Sequence, residues 1–243
     1  MHPEIIQYAK QFYIRVLSTG TIELEQGLSN EEYLLSIFRA EAKAREEKAV
    51  KERLKQARFP TYKDFEEFDC GFQKGITKEQ LHMLAKLEWL DALFNLILIG
   101  PPGTGKTHIA LAIGNKAARE GYTVAFHTMD NLMHVLKTQE ISRKSLCRMR
   151  WFRKCDLLII DEMGYLPVSK TEANFFFSLI SELYESTSII ITSNKGFDGW
   201  AEILGDSVLA TALLDRLTHR CQVLNFTDDS YRLAHRKNIF EKR

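Results

Sequence analysis

The chain has 243 residues, of which 45% are hydrophobic, and it carries 33 Lys and Arg against 32 Asp and Glu. This composition excludes an intrinsically disordered protein, which would have a lower apolar fraction and a larger net charge. The formal net charge of +1 neither favours nor excludes a nucleic-acid partner, so the distribution of charge along the chain must decide that question.

Residues 1–58 are predicted to form a small helical N-terminal domain that mediates self-association or contacts a partner or DNA. Apolar residues from Ile5 to Val16 recur at helical spacing, and Gly20 is the predicted end of that helix. A second helix is predicted to begin at Ser29 or Asn30 and to run to Arg58. Its second half has few apolar anchors and interleaved charges, so we expect it to be exposed.

Residues 59–77 are predicted to be a connector, because Pro60 prevents continuation of the preceding helix. Thr77 is the predicted N-cap of a helix over Lys78–Leu93. A second domain is then predicted to span residues 78–243.

From Asn95 onwards, short apolar strands alternate with longer helical segments, which predicts an α/β fold with a mostly parallel sheet covered by helices on both faces. The predicted strands are Leu96–Ile99, Thr123–His127, Leu157–Ile160, Ser188–Thr192 and Gln222–Phe226. The predicted helices are Thr107–Arg119, Asn131–Lys137, Glu172–Glu185, Val208–His219 and a last segment, Asp228–Phe240. Ligands of such sheets bind at the carboxyl ends of the strands.

The cysteines and the N-terminal residues indicate the cellular compartment. The cysteines form no CxxC pair and match no zinc spacing, which is typical of reduced, structural thiols in a cytosolic protein. Residues 1–10 carry charges and a proline in place of the apolar core of a secretory signal. The longest apolar run is far shorter than the ~20 residues that cross a membrane. We therefore expect a soluble, cytoplasmic protein with no membrane partner.

A glycine-rich segment between an apolar strand and a helix has the pattern GxxxxGK[ST]. Its glycines let several backbone N–H groups point at phosphate oxygens, and the following helix adds its positive end. Lys106 is expected to reach the β- and γ-phosphates, and the Thr107 hydroxyl is expected to bind Mg²⁺. The expected nucleotide-binding residues are Gly100, Pro101, Pro102, Gly103, Thr104, Gly105, Lys106, Thr107 and His108.

Two later strands end in polar side chains. Asp161 is expected to hold the Mg²⁺ shell, and Glu162 is expected to polarise the water that attacks the nucleotide. An Asp-Glu pair favours ATP hydrolysis over phosphate transfer to a small acceptor. Asn194 is a candidate to bind the γ-phosphate or this water, although Asn before Lys-Gly is also typical of a simple turn.

Arg216 lies on a predicted helix whose leucines face inwards. It could therefore point towards a nucleotide bound by a neighbouring subunit, where a cation offsets charge that develops on the γ-phosphate. The alternative is a surface ion pair with Asp215 or Glu202. Arg220 is the second candidate for the arginine that acts on the neighbour.

Together these motifs resemble one family, the IstB-like ATP-binding proteins, which are AAA+ helpers of insertion-sequence transposases and relatives of the replicative helicase loader DnaC. The resemblance is carried by Leu-Ile-Gly-Pro-Pro-Gly-Thr-Gly-Lys-Thr-His at 98–108, Asp-Glu-Met-Gly-Tyr-Leu-Pro at 161–167, Thr-Ser-Asn at 192–194 and Leu-Asp-Arg-Leu at 214–217. It covers nearly the whole chain. Met163 replaces the more usual leucine, a change that conserves volume.

The resemblance implies a role for each of these residues. Lys106 and Thr107 would be the Walker A pair, and Asp161 and Glu162 the Walker B pair. Asn194 would be the first sensor, and Arg216 the arginine finger that acts in trans. The short segment after the last predicted strand implies an AAA+ domain without a C-terminal lid or a second sensor arginine.

The segment Arg143–Lys154 contains no acidic residue, which predicts a local positive patch. The resemblance implies that a helix in this interval contacts DNA. The expected phosphate-binding residues are Arg143, Lys144, Arg148, Arg150 and Arg153. A solvated helix face or a subunit contact is the alternative, and Trp151 and Phe152 are expected in the core.

The function that this resemblance implies is an ATPase that uses Mg²⁺, oligomerises on double-stranded target DNA and passes that DNA to a cognate transposase or stimulates the transposase. A helicase loader of the DnaC type would differ only in its partner. A P-loop kinase for a small metabolite would instead be a monomer or dimer that transfers phosphate to an acceptor. A third alternative is a nucleotide-gated scaffold that hydrolyses ATP slowly or not at all.

Overall fold

The computed structural model of the chain describes residues 2–20, 27–164, 168–227 and 229–236. The chain divides into two compact units, residues 1–52 and 53–243, and the division lies inside the long helix α3 (Asn30–Ala57). The predicted functional division at residues 58 and 77 remains a proposal.

The first unit contains α1 (Pro3–Gln11), α2 (Arg15–Ser18) and the beginning of α3. The prediction of one continuous helix up to Gly20 was wrong, because Tyr13 adopts a left-handed conformation (φ 58°) that separates α1 from α2. The Arg45 guanidinium donates to the Tyr13 carbonyl over 3.0 Å and satisfies this turn. The buried side chains that hold the three helices together are Ala9, Val16, Leu17 and Ile37.

The predicted beginning of α3 is confirmed. The Ser29 hydroxyl accepts a hydrogen bond from the Glu32 N–H, and the Glu32 carboxylate accepts from the Ser29 N–H. This reciprocal arrangement satisfies N–H groups that a helix start otherwise leaves unpaired.

The second unit is built on a five-stranded parallel sheet in the order β2-β3-β4-β1-β5. The strands are β1 (Asn95–Ile99), β2 (Val124–Thr128), β3 (Leu157–Met163), β4 (Ser188–Ser193) and β5 (Cys221–Asn225). All five predicted strands are confirmed, because each is a short, continuous apolar run of the kind that a sheet buried on both faces requires.

Helices cover both faces of this sheet. They are α4 (Lys78–Ala85), α5 (Glu88–Asp91), α6 (Lys106–Arg119), α7 (Met129–Thr138), α8 (Arg143–Phe152), α9 (Lys170–Leu183), α10 (Trp200–Leu204), α11 (Ser207–Thr218) and α12 (Tyr231–Ala234). In β1, Leu96 and Leu98 pack with α4 and α6, whereas Ile97 packs with α7 to α11. Alternate residues of one strand therefore belong to two separate cores, as the pleat requires.

The prediction of a single helix over Lys78–Leu93 was wrong. Thr77 caps α4 as expected, but Leu87 adopts φ 63° and is buried, and α5 begins only after it. Of the last predicted helix, Asp228–Phe240, the structure shows α12, and residues 228 and 237–240 lie outside the described part of the chain. Among the helices of the described residues, none is long and apolar enough to cross a membrane.

Candidate functional site

The glycine-rich loop between β1 and α6 is held in shape by close backbone contacts. Gly100 has φ 152°, and a Cβ atom added there would lie 2.1 Å from the carbonyl oxygen of Phe226. A Cβ atom on Gly103 would lie 2.1 Å from Ser230 Oγ, and Gly103 O accepts from the Tyr231 N–H over 3.0 Å. A side chain at either position would clash with the residues after β5. Glycine avoids this clash and lets those residues pack directly on the loop.

Lys106 opens α6 and is buried, with 8% of its surface exposed. Its ammonium group donates to the carbonyl oxygens of Gly100 and Pro101, each over 2.7 Å. Burial lowers the pKa of Lys106 to about 8, a shift that Asp161 opposes and Arg232 reinforces. A phosphate group beside this ammonium would offset the cost of burying its charge.

Asp161 lies at the end of β3 and is buried between two hydroxyl groups. Thr107 Oγ1 donates to Asp161 Oδ1 over 2.9 Å, and Thr192 Oγ1 donates to the same oxygen. The predicted strand tips thus converge on the first turn of α6, because β1, β3 and β4 are neighbours in the sheet. A hydroxyl and a carboxylate oxygen are ligands that Mg²⁺ prefers.

A β-bulge in β3 contains both Asp161 and Glu162. The pairing of β3 with β4 is regular up to Ile160 and resumes at Met163 with a shifted register. Glu162 has φ 64° within this bulge, and its N–H donates to Thr192 Oγ1 over 3.0 Å. Bulges redirect side chains next to active sites. Here the bulge leaves Asp161 buried while the Glu162 side chain is exposed.

Asn194 lies just beyond β4 and approaches Gly164 closely. A Cβ atom on Gly164, whose φ is 105°, would lie 2.4 Å from Asn194 Oδ1. Asn194 Oδ1 is buried, and within the described residues it has no hydrogen-bond partner. A buried polar atom of this kind calls for a partner such as a bound ligand or an ordered water.

A cavity of about 250 Å³ joins these groups. Its walls include Lys106, Thr107, Glu162 and Asn194, so the structure brings together residues that were predicted from three separate motifs. Pro102, Gly103, Gly105 and His108 also border it. The cradle of N–H groups, the buried ammonium and the Thr107–Asp161 oxygens together fit a magnesium nucleotide.

The cavity also contains residues that the sequence did not indicate. Phe68, from the predicted connector, packs edge-on against the His108 ring, and the His108 imidazole lies 2.8 Å from the Asp64 carbonyl oxygen. The connector is therefore a wall of this cavity. Arg232 borders the cavity as well, although no arginine was expected after β5. The segment that contains Phe68 has no periodic signal, and Arg232 lies in the predicted helix Asp228–Phe240 without a motif that marks it as a site residue.

Arg216 lies away from this cavity. Its guanidinium carbon is 4.6 Å from the centre of the Phe177 ring, and Nη1 donates to the Ala212 carbonyl over 3.1 Å. In the described part of the chain it makes no ion pair with Asp215 or Glu202, and Glu202 pairs with Lys195. Arg216 is half-buried and does not border this cavity, and its action on a neighbouring subunit's nucleotide stays a prediction.

The basic segment forms α8, but its five predicted DNA contacts are not equivalent. Arg143, Lys144 and Arg150 are exposed. Arg148 is only 6% exposed, because helical spacing places it on the same face as the core residues Met149 and Phe152. Its guanidinium is therefore largely buried, and its contact with DNA phosphate stays a prediction.

Arg153 and the two aromatic residues of the segment lie near its end. Arg153 Nε donates to a Glu182 carboxylate oxygen over 2.7 Å, so part of its charge is compensated at the surface. Phe152 is fully buried, and Trp151 packs against the same core. Their prediction as core residues is confirmed.

Comparison with known proteins identifies the family. A sequence model of the IstB-like ATP binding proteins matches residues 15–239. This chain belongs to the IstB-like family. Among curated relatives, the IS21 insertion-sequence ATP-binding protein of Pseudomonas aeruginosa is 42% identical over 218 residues, covering 88% of this chain and 82% of the relative. The resemblance noted from the motifs is thereby confirmed.

Solved structures identify the fold of this IstB-like chain as an AAA+ P-loop fold. The AMPPCP-bound DnaA from Aquifex aeolicus is 24% identical with a TM-score of 0.56, and the match covers 72% of this chain and 53% of that one. The DnaI structure is 18% identical with a TM-score of 0.57, and the match covers 68% of this chain and 91% of that one. At this level of identity the likeness concerns the fold alone.

Proposed function

We propose that this IstB-like protein is an ATP-hydrolysing, DNA-binding transposition helper. It oligomerises on double-stranded target DNA and delivers that DNA to a transposase or stimulates the transposase, with hydrolysis as the switch. The observation that carries the proposal is the convergence of Lys106, Thr107 and Glu162 on one cavity, with the Thr107 hydroxyl bonded to Asp161. The insertion-sequence relative supports the transposition context.

Each residue of the cavity has a defined task in this proposal. Bound Mg²⁺ would offset charge on the phosphates. Lys106 binds the β- and γ-phosphates, and Thr107 and Asp161 hold the metal. Glu162, which the bulge turns into the cavity, orients and polarises the attacking water, and Asn194 offers its unpartnered oxygen to that water.

The position of Arg216 supports oligomerisation. Arg216 packs on Phe177 and does not border the nucleotide cavity of its own chain, so in this proposal it completes an active site when a second copy places its nucleotide beside it. Hydrolysis then depends on assembly, and assembly on DNA makes hydrolysis depend on DNA.

Two alternative functions make different predictions. A helicase loader would share every feature of the cavity and would bind a replicative helicase in place of a transposase; the likeness to DnaI is a likeness of fold. A P-loop kinase would require an acceptor beside the γ-phosphate. The Glu162 carboxylate in the cavity favours a water molecule at that position.

Size analysis of the protein on duplex DNA tests the proposal. Samples contain ATP, ADP or no nucleotide, and the variants are Lys106→Ala and the matched control Lys116→Ala, an exposed lysine on the same helix that pairs with Glu120. We expect ATP to enlarge the complex for the native protein and the control, and not for Lys106→Ala. A complex whose size is indifferent to nucleotide contradicts the proposed function.

A further inference from the structure

The connector places a buried amide group on the wall of the nucleotide cavity. Gln73 borders this cavity, yet only 2% of its surface is exposed. Its side-chain nitrogen Nε2 donates to the Asp229 carbonyl oxygen over 3.1 Å. Its carbonyl oxygen Oε1 is buried and has no hydrogen-bond partner among the described residues. Burial without a partner costs a carbonyl group its hydrogen bonds to water, so a donor from a ligand would be favourable here.

The bond to Asp229 determines which atom of the Gln73 amide is left without a partner. A backbone carbonyl oxygen can only accept, so the atom that meets the Asp229 oxygen must be the amide nitrogen. The unpartnered atom is therefore the oxygen. An amide oxygen accepts hydrogen bonds and cannot donate, so it favours a ligand group that carries N–H or O–H.

The turn that carries Gln73 is held in place on two sides. The Gln73 N–H donates to the Asp69 carbonyl oxygen over 3.1 Å, and the Asp69 carboxylate accepts from the Phe72 N–H over 3.2 Å. The Phe72 ring packs edge-on against Tyr231, whose N–H donates to the Gly103 carbonyl oxygen. Gln73 is thus positioned relative to the glycine-rich loop before a nucleotide binds. A preorganised acceptor requires little further ordering on binding.

Gln73 borders the part of the cavity that remains for the base and the ribose. Lys106 and Thr107 define the end that fits the phosphates and the metal. The rest of the nucleotide must lie along the remaining wall, to which the connector contributes the Phe68 ring and α6 contributes Leu111. An aromatic ring and a leucine provide the apolar surface that a flat base requires.

We propose that Gln73 selects adenine, because its Oε1 accepts a hydrogen bond from the 6-amino group of the base. This inference deepens the proposed function, since it assumes that the cavity holds a nucleotide. The 6-amino group is the hydrogen-bond donor of adenine, whereas guanine has a carbonyl oxygen at the same position. Guanine would place a second acceptor against Oε1, and both buried oxygens would lack a hydrogen. Gln73 is a specificity residue that does not touch the reacting phosphates.

Removal of the 6-amino group and removal of the Gln73 oxygen together test this contact. Purine riboside diphosphate has hydrogen in place of the 6-amino group of ADP, and diphosphates avoid turnover. The variant is Gln73→Met, which keeps a similar volume and lacks the amide. Gln139→Met is the matched control, because Gln139 Nε2 also donates to a backbone carbonyl, that of Leu136, over 3.1 Å, and Gln139 does not border the cavity.

Affinities for both diphosphates are measured by calorimetric titration in Mg²⁺. We expect the native protein and Gln139→Met to prefer ADP by about fivefold or more, and Gln73→Met to bind the two within about twofold. Unchanged affinity of Gln73→Met for the purine riboside would show that the site is intact. A preference for ADP that persists in Gln73→Met, or that is absent from the native protein, overturns the proposal.

A second variant decides the question if Gln73→Met does not fold. Gln73→Asn keeps the amide and withdraws its oxygen by one methylene group, so the preference for ADP should fall towards twofold. An unchanged preference in Gln73→Asn overturns the proposal in the same way.

Two further nucleotides separate a contact with the base from a contact with the sugar. 2′-deoxy-ADP and 3′-deoxy-ADP each lack one ribose hydroxyl, which is also a donor. If Gln73→Met abolishes the preference for ADP over one of these and leaves the effect of the 6-amino group, Oε1 binds the ribose and the proposal is wrong. If the native protein binds neither ADP nor ATP, the proposed function fails. If it binds both and is indifferent to the 6-amino group, only the role of Gln73 fails.

Discussion

The Thr107 hydroxyl donates to Asp161 over 2.9 Å and so connects the first turn of α6 to the end of β3. These two residues are 54 positions apart in the chain. Their contact is possible because parallel strands bring their carboxyl ends to one edge of the sheet. The pair is the part of the site that should bind the metal.

Replacing Thr107 with valine should remove the metal-dependent part of ATP binding. Valine keeps the shape of threonine and lacks the hydroxyl oxygen, so we expect affinity in Mg²⁺ to fall by about tenfold or more. Calorimetric titration with ATP, in Mg²⁺ and in EDTA, measures the effect. Thr107→Ser, which keeps the oxygen, is the control. Equal losses in Mg²⁺ and in EDTA contradict a role at the metal.

Glu162→Gln should abolish hydrolysis and preserve binding. The amide cannot accept a proton from water, and loss of a general base lowers the rate by about 10² or more. Glu185→Gln is a well-matched control, because Glu185 also has a positive φ, of 57°, and lies away from the nucleotide cavity. Phosphate release and ATP affinity are measured for both variants. Retained hydrolysis in Glu162→Gln would favour a different base.

ATP affinity should decline as pH rises through about 8. Burial lowers the pKa of Lys106 to about 8, so the free protein loses the ammonium charge above that pH. A bound phosphate stabilises the protonated lysine, so binding above pH 8 requires uptake of a proton, and affinity falls by at most about tenfold per pH unit. Below pH 8 this dependence is absent.

The control for this titration is Lys106→Arg, whose guanidinium stays charged over the whole range. We expect its ATP affinity, whatever its absolute value, to be independent of pH between 7 and about 9.5. If the native protein and the variant show the same profile, the titrating group is not Lys106.

Gly164→Ala should lower hydrolysis because the added methyl group displaces Asn194. Gly164 has φ 105° and would place Cβ 2.4 Å from Asn194 Oδ1. Gly205→Ala separates strain from displacement, since Gly205 has φ 64° and, apart from its chain neighbours, no described residue places an atom within 4 Å of its added Cβ. Both variants should lose about 1 kcal/mol of unfolding free energy, measured by urea denaturation. Only Gly164→Ala should also hydrolyse ATP more slowly, because the loss of stability that both variants share does not displace Asn194.

Arg216→Ala should reduce hydrolysis by about 10³ without reducing ATP affinity, because the arginine acts on a neighbouring subunit. Mixing this variant with Glu162→Gln protein provides the decisive measurement. Some interfaces in the mixture combine an intact Glu162 with an intact Arg216, so activity should reappear. No recovery on mixing contradicts action in trans, and the same experiment with Arg220→Ala tests the second candidate.

The fold was predictable because its signals are local. The strand β3 is a continuous apolar run ending in Asp-Glu, and β1 ends at a glycine-rich loop, so strands and site residues follow directly from the sequence. The break at Leu87 was not predictable, since a leucine in the left-handed conformation is stabilised by burial and not by its own propensity.

The site residues that belong to sequence motifs were predictable. Those that tertiary packing brings to the cavity were not. Phe68 and Arg232 reach the nucleotide cavity through the path of segments that carry no site motif. Arg148 was predicted to bind DNA phosphate because the sequence of α8 shows a run of positive charge, whereas the helix turns this one residue inwards beside His127. Which face of α8 is covered is decided by the sheet, and one sequence does not contain that information.

The contact between Tyr231 and Gly103 has a consequence for synthesis of the protein. The cavity that fits the nucleotide is bordered by residues from Thr61 to Arg232, so a nascent chain must extend past Arg232 before the cavity can close. A truncated product that stops before β5 would keep the glycine-rich loop and lack the segment that packs against it. Premature termination should therefore yield fragments unable to retain ATP.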